Sequence, residues 1–361
     1  MRATRCMNAG RTCTETLVSQ EPTKLDWSRA RVLLTGGAGF LGSWVARGLR
    51  ERGVCDDRII IPRSAACDLR DPLQAARAVG ELLAHAQRHH HQPIVLHCAG
   101  LSGGLALNRE RPLDLYHDNL AMGTNVIMAL ARAGAALANT PAAPRLVLVG
   151  HMTSYPTDER IAPQPLREES LMAGPLDPVT AKLGAAKGEL LPLARFAHAR
   201  FGLASIMVVP TNLYGEGDLM DNPAKSHAAG AMIWRFAQAV RERTPSITHW
   251  GTGRAIRDFL HVQDAARGIL AAAERLECHA GPPIAVNLGS GQETTLRDLS
   301  DTIQGVSGYT GRVDWDASKP DGVPRRVLNI RRAREVLGWM PQVTLEQGVA
   351  RTLAAIEKPR A

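Results

Sequence analysis

Residues 32–42 read Val-Leu-Leu-Thr-Gly-Gly-Ala-Gly-Phe-Leu-Gly, and they constrain the fold more than any other stretch of the chain. Val32-Leu33-Leu34 is a short apolar run of the kind buried on both faces of a parallel sheet. Glycines fall at Gly36, Gly39 and Gly42, and an amphipathic segment over 40–52 follows, with Gly53 placed to end it. In a strand, turn and helix of this form each glycine has a mechanical task. Gly36 permits the turn, and Gly39 lets backbone N–H groups approach a pyrophosphate. Gly42 lets the helix pack closely on the strand, so that its first residues, Phe40 and Leu41, face the phosphates. A glycine turn alone also arises for purely structural reasons. Set between this strand and this helix, it predicts a dinucleotide site.

The chain continues in the same rhythm. Strands are expected at 58–63, 93–100, 145–150 and 205–210, with a short strand end and turn at 67–71. Helices are expected over 72–88, 113–135 and 178–201. Strands alternating with helices at this spacing specify an α/β fold, a Rossmann-like doubly wound parallel sheet with its ligands at the strand C-terminal ends. Beyond Pro210 the pattern changes to a polar loop, a helix over about 227–242, a strand at 247–250 and a glycine turn at 251–253. A helix over 261–276 and a strand at 284–288 follow, then short helices and loops. The expected organisation is a flexible leader at 1–28 and an NAD(P)-binding domain at 29–212 with 256–288. A smaller α/β substrate domain takes 213–255 and 289–361.

A carboxylate at the end of the second strand would hold the ribose 2′-hydroxyl of NAD; Arg63 stands there instead and suits the 2′-phosphate of NADP. The chain has 361 residues, 45% of them hydrophobic, and a net charge of +8, which places it among globular proteins. The basic excess is scattered, with no basic block interleaved with aromatics, so an anionic small molecule plus an anionic cofactor fits better than nucleic acid. No apolar run reaches the ~18 residues of a membrane span, and 1–30 lacks a signal-peptide core. Cys6, Cys13, Cys55, Cys67, Cys98 and Cys278 form no C-x-x-C pair and read as free thiols of a cytoplasmic protein. His89-His90-His91 looks like a metal cluster, but three adjacent histidines do not converge on one ion, and no metal is expected.

These features, together with three further stretches, resemble the extended short-chain dehydrogenase/reductases, the NAD-dependent epimerase/dehydratase family. Within it they are most similar to the branch of GDP-4-keto-6-deoxymannose epimerase/reductases. The stretches are Pro-Thr-Asn-Leu-Tyr-Gly at 210–215, Trp250-Gly251-Thr252-Gly253 with Arg257-Asp258-Phe259-Leu260-His261-Val262, and Asp-Ala-Ser-Lys-Pro-Asp-Gly at 316–322. The resemblance implies that Asp68, Leu69, Ala99, Lys187, Pro210, Asn212 and Leu213 join the glycine loop around NADP(H). It also implies that Ser102, Gly103, Gly104, Asn212, His227, Arg235, Trp250, Arg257 and Lys319 line the site of a nucleoside-diphosphate sugar, a GDP-sugar above all. Helices like 113–135 and 178–201 form a homodimer interface in such proteins.

Reduction in that family uses a Tyr with a Lys four residues later as acid, a Ser or Thr hydroxyl on the carbonyl, and a Cys and a His exchanging protons at the flanking carbons. By the resemblance, His151 sits at the Ser/Thr position, Thr153 at the Cys and Leu183 at the Tyr, while Lys187 and His227 are kept. Three readings follow. One is an active nucleotide-sugar epimerase/reductase in which His151 and His227 serve as acid/base groups. A second is a cofactor-binding protein without redox turnover, a partner subunit or sensor. The third is a non-sugar reaction on the same scaffold. A lysine of ordinary pKa, about 10.4, is a poor acid, so slow hydride chemistry is expected.

Overall fold

The computed structural model describes residues 25–357 except 139, 141, 219–226 and 277–280. The first half alternates strand and helix: β1 (Ala30–Thr35), α1 (Phe40–Glu51), β2 (Ile59–Ile60), α2 (Pro72–His89) and β3 (Gln92–His97). A short α3 (Leu105–Glu110), a long α4 (Pro112–Gly134), β4 (Arg145–Val149), α5 (Ala181–Gly188), α6 (Leu190–Phe201) and β5 (Ala204–Pro210) continue it. The second half holds β6 (Asn212–Tyr214), α7 (Ala228–Glu242), β7 (Ser246–Trp250), β8 (Ile256–Arg257), β9 (Phe259–His261), α8 (Val262–Arg275) and β10 (Ala285–Leu288). The chain closes with β11 (Thr294–Thr295), α9 (Leu296–Ser307), β12 (Arg312–Asp316), β13 (Arg325–Arg326) and α10 (Leu345–Glu357).

Six strands form one sheet in the order β2-β1-β3-β4-β5-β10, every neighbouring pair parallel. Both faces are covered, which is why these strands are apolar without alternation. Val32 and Leu34 pack with Val45, Leu49 and Leu270 on the α1/α8 face, while Leu33 between them joins Leu82, Ile127 and Leu190 on the α2/α4/α6 face. From β1 the chain crosses to β2 on one side and returns to β3 on the other. The crevice between β1 and β3 at their C-terminal ends is therefore the switch point where ligands bind in such sheets.

The second lobe packs α7, α9 and α10 around Tyr214, Ile233, Phe236, Leu299, Ile303, Val349 and Leu353. It carries the parallel pair β7/β12 and a small sheet in the order β11-β8-β13. Asp258, fully buried, ties the halves together. Its carboxylate accepts from the Ser290 N–H at 2.8 Å, the Ser290 hydroxyl at 2.6 Å and the Leu328 N–H at 3.3 Å, and its carbonyl accepts from the Thr211 hydroxyl and the Asn212 amide.

Several elements differ from the sequence expectation. The second strand is two residues long. Residues 67–71 are a turn whose Asp71 accepts from Leu73 N–H and caps α2. The helix expected over 178–201 is two helices broken at Glu189, because Pro192 lacks an N–H and its ring crowds the carbonyl four residues back, at Gly188. The tail expected as short helices and loops contains the 12-residue α9 and 13-residue α10. A reciprocal cap between Thr295 and Asp298 starts α9.

Pro112–Leu137, 26 residues with a mean hydropathy of 1.4 in its most apolar window, is long and apolar enough to cross a membrane, contrary to the reading of the sequence. Its apolar side, with Leu115, Val126, Ile127, Leu130 and Ala131, lies in the core against α2 and α6. In the histidine run, His90 ends α2 in a left-handed conformation, the ring of His89 lies tilted 4.3 Å from that of His85, and the ring of His91 stacks on His85 at 5.7 Å. Cys55, Cys67 and Cys98 are free thiols; Cys6, Cys13, Cys278 and residues 1–24 of the leader lie outside the described residues, while Leu25 and Trp27 at its end are buried in the core.

Candidate active site

The C-terminal ends of β1, β3, β4 and β5 open into a cleft of about 570 Å³. One wall is the glycine turn. Gly36 has a φ of +71°, and a Cβ on it would come within 2.7 Å of the Ala99 backbone, so both the turn and the neighbouring strand end require glycine. A Cβ on Gly42 would lie 2.1 Å from the Gly36 carbonyl oxygen: α1 is seated on the turn itself, a closer approach than packing on the strand. Gly39 is the N-cap of α1 and offers no side-chain cap. The first N–H groups of the helix, at Phe40, Leu41 and Gly42, therefore face the cleft without a capping side chain, at the positive end of the helix dipole. That arrangement fits a dinucleotide pyrophosphate.

Ile61 abuts Gly37, so the end of β2 lies beside the turn. Arg63, two residues on, is exposed and forms no ion pair among the described residues. Asp68 does not line the cleft. Its carboxylate is held by Arg70, which bridges to Asp118, and those bonds keep it below the usual carboxylate range. The Leu69 side chain is in the core and its carbonyl accepts from Asn125.

The opposite wall is α5. Lys187 is buried, and its Nζ donates to the Ala99 carbonyl at 2.8 Å, leaving two N–H groups for the cleft. Gly100 makes this approach possible, since a Cβ there would meet the Asn119 amide oxygen at 2.8 Å and Lys187 Nζ at 3.1 Å. Burial lowers the Lys187 pKa to about 8, so it is a stronger acid than an ordinary lysine, contrary to the sequence expectation. One turn earlier, Leu183 lines the cleft with an apolar side chain. The thiol of Cys98, also facing the cleft, is pushed up to about 12 by burial.

His151, Thr153 and His227 all line the cleft. The Thr153 N–H donates to His151 Nδ1 at 3.2 Å, and the Thr153 hydroxyl lies 2.7 Å from the same nitrogen. Burial, with His227, Lys187 and Arg326 nearby, lowers the His151 pKa to about 3. The ring is neutral at physiological pH, which removes the proton-donating imidazolium expected of it. α5 clamps this turn: a Cβ on Gly184 would come within 2.2 Å of the Thr153 carbonyl, and Ser154 donates to the Gly184 carbonyl at 2.6 Å.

Ser102, Pro210, Asn212 and Leu213 also line the cleft, whereas Ala99, Gly103 and Gly104 do not. Arg235, Trp250, Arg257 and Lys319 do not reach it. They gather on the second lobe around the ends of β7 and β12. Trp250 is 69% exposed and stands beside Asp316, whose carbonyl accepts from the Lys319 N–H. Arg235 donates to Thr248 and His249, and the Arg257 guanidinium lies beside the 321–322 turn.

Two contributors went unread in the sequence. Asn119, fully buried on α4, donates to the carbonyls of Leu101 and Leu115 and accepts from the Leu101 N–H, which fixes the loop after β3. A lone amide on an apolar helix stripe was the available signal. Arg326 donates to the carbonyls of Met152 and Tyr155 beneath the His151 turn, and nothing local in the sequence marks it.

The chain is 32% identical over 330 residues to a GDP-L-fucose synthase of Escherichia coli, covering 90% of this chain and 96% of that protein. Among solved structures, a GDP-6-OMe-4-keto-L-xylo-heptose reductase from Campylobacter jejuni superposes with a TM-score of 0.76 at 21% identity, over 93% of this chain and 99% of the other. A GDP-mannoheptose C4 reductase from the same organism, with NADP bound, gives 0.73 at 20% identity over 92% and 99%; both show the shared fold. The sequence model of the family described as NAD dependent epimerase/dehydratase matches residues 32–289, and the chain belongs to that family.

Proposed function

We propose that this chain is an NADP(H)-dependent epimerase/reductase of a nucleoside-diphosphate sugar, a GDP-4-keto-6-deoxy sugar or a close relative. The observation that carries the reading is Lys187, an amine of lowered pKa held at the cleft opposite an uncapped glycine turn. The relatives at about 30% identity are GDP-L-fucose synthases, which favours guanine over other bases.

The residues present fit the cofactor. Phe40, Leu41 and Gly42 would receive the pyrophosphate, Arg63 the 2′-phosphate, and Lys187 the nicotinamide ribose. When bound, NADP(H) supplies or accepts hydride. A ketone undergoing reduction also needs a proton on its oxygen. Leu183 offers none, so Lys187, whose acidity is matched to neutral and mildly alkaline pH, is the donor. His227 stands at the cleft as the base for proton exchange at the carbons flanking the carbonyl.

NADPH oxidation with GDP-4-keto-6-deoxymannose, and deuterium wash-in from heavy water, test the reading. Turnover is expected, slower than in a Leu183→Tyr variant, which regains a hydroxyl donor typically worth about 10²–10⁴-fold. His227→Ala is expected to abolish wash-in. NADPH is expected to bind more tightly than NADH, with the difference lost in Arg63→Ala. Absence of both turnover and wash-in would favour the redox-inactive alternative.

A further inference from the structure

We propose that His151 acts as an uncharged hydrogen-bond donor to a sugar oxygen, through Nε2–H, with Thr153 as the positioning residue that fixes its tautomer. The proposal rests on the nucleotide-sugar reading above and deepens it. His151 is the N-cap of the 3-10 turn Met152–Ser154, and its ring folds back on that turn, so that the Thr153 N–H points at Nδ1 from 3.2 Å. A backbone N–H has only a proton to give, so Nδ1 is unprotonated. The Thr153 hydroxyl, 2.7 Å from the same nitrogen, supplies a second donor. The proton of a neutral imidazole must then reside on Nε2, on the ring edge away from Thr153, in a residue that lines the cleft.

Protonation of Nδ1 would set an N–H against the Thr153 N–H, donor against donor, and would add a cation beside Lys187 and Arg326 with His227 also facing the ring. The ring therefore donates without transferring its proton. It is a fixed dipole for developing negative charge on a carbonyl oxygen, which costs no reorganisation when the charge appears. The turn is held on its other side by α5, through the Gly184 contact and the Ser154 hydroxyl, so the donor is placed before any ligand arrives.

Long-range ¹H–¹⁵N correlation spectra of ¹⁵N-histidine protein test the tautomer, and calorimetric titration with GDP and GDP-mannose tests its use. Wild-type His151 is expected in the Nε2–H form from pH 6 to 8.5. Thr153→Val is expected to give a mixture of tautomers and Thr153→Ser to restore the single form. His151→Phe is expected to weaken GDP-mannose about tenfold while leaving GDP unchanged, and His151→Gln, which keeps a neutral donor, to retain most of that affinity. A cationic ring or an Nδ1–H form at pH 7 would overturn the proposal, as would GDP-mannose binding indifferent to His151→Phe. Failure of the wild-type protein to bind GDP at all would instead overturn the nucleotide-sugar reading, and the proposal with it.

Discussion

Lys187 is a cation in the protein interior whose described hydrogen bond goes to a carbonyl, with no ion pair to a carboxylate among the described residues. Its folded pKa of about 8 lies below the ~10.4 of a free lysine, a difference of roughly 3 kcal/mol. The folded protein binds that proton more weakly than the unfolded chain does. At pH 7 both states hold it, so the folded state carries the whole penalty. Between about pH 8 and 10.4 the folded protein sheds it first, and stability rises with pH. Lys187→Met is expected to stabilise the cofactor-free protein at pH 7 by ~1–2 kcal/mol, after the loss of the bond to Ala99 is set against the relieved charge. The variant should also lose the alkaline rise, and urea unfolding at pH 7 and 9.5 checks both. None of this was legible in the sequence. Lys187 and Leu183 could be placed one helical turn apart, but the acidity of the amine comes from its burial against Ala99 and the loop after β3, which another element brings to it. In the same way, His151 could be singled out as a histidine, yet its neutrality arises from burial and from His227, Lys187 and Arg326, which other elements bring beside it.

At the scale of elements, the glycine turn with β1 and α1 was readable because every requirement there is local: apolar strand, φ-permissive glycine, amphipathic helix. The break at Glu189 was equally local, marked by Pro192, and was overlooked. The small strands of the second lobe had no such signal, since two-residue strands carry no period to detect. Asp258 shows what resemblance alone conceals. Its stretch carries the resemblance with no task for Asp258, whereas the carboxylate serves three protein donors that join β8 and β9 to residues 290 and 328. Asp258→Asn would turn an amide N–H toward one of those donors. The expected loss is about 2–3 kcal/mol, read as a lower denaturant midpoint with an unchanged slope.

For the whole molecule, the proposed ligand spans both halves. The phosphates of the cofactor would lie at the glycine turn, and the basic and aromatic group of Arg235, Trp250, Arg257 and Lys319 gathers on the second lobe. A ligand bound only by the folded state stabilises by about 2.7 kcal/mol at a concentration one hundred times its Kd. GDP is therefore expected to raise the melting temperature by several degrees, and more than UDP, CDP or dTDP at equal concentration. Scanning calorimetry with each nucleotide checks this. Lys319→Ala together with Arg235→Ala should remove the GDP increment and spare that of NADPH.

The strand order of the main sheet also has a consequence during synthesis. β5 pairs with β10, yet the chain leaves the sheet at Pro210 and returns only at Ala285. On a ribosome adding about 5–20 residues per second, β5 waits on the order of 4–15 s for its neighbour. Through that interval Ile206, Met207, Val208 and Val209, without a charge among them, form an open pairing edge of the kind that recruits other chains. A nascent chain stalled near residue 255 would expose that edge indefinitely, so translation pauses in the second lobe should send this protein toward aggregates or chaperones, while pauses after residue 288 should not.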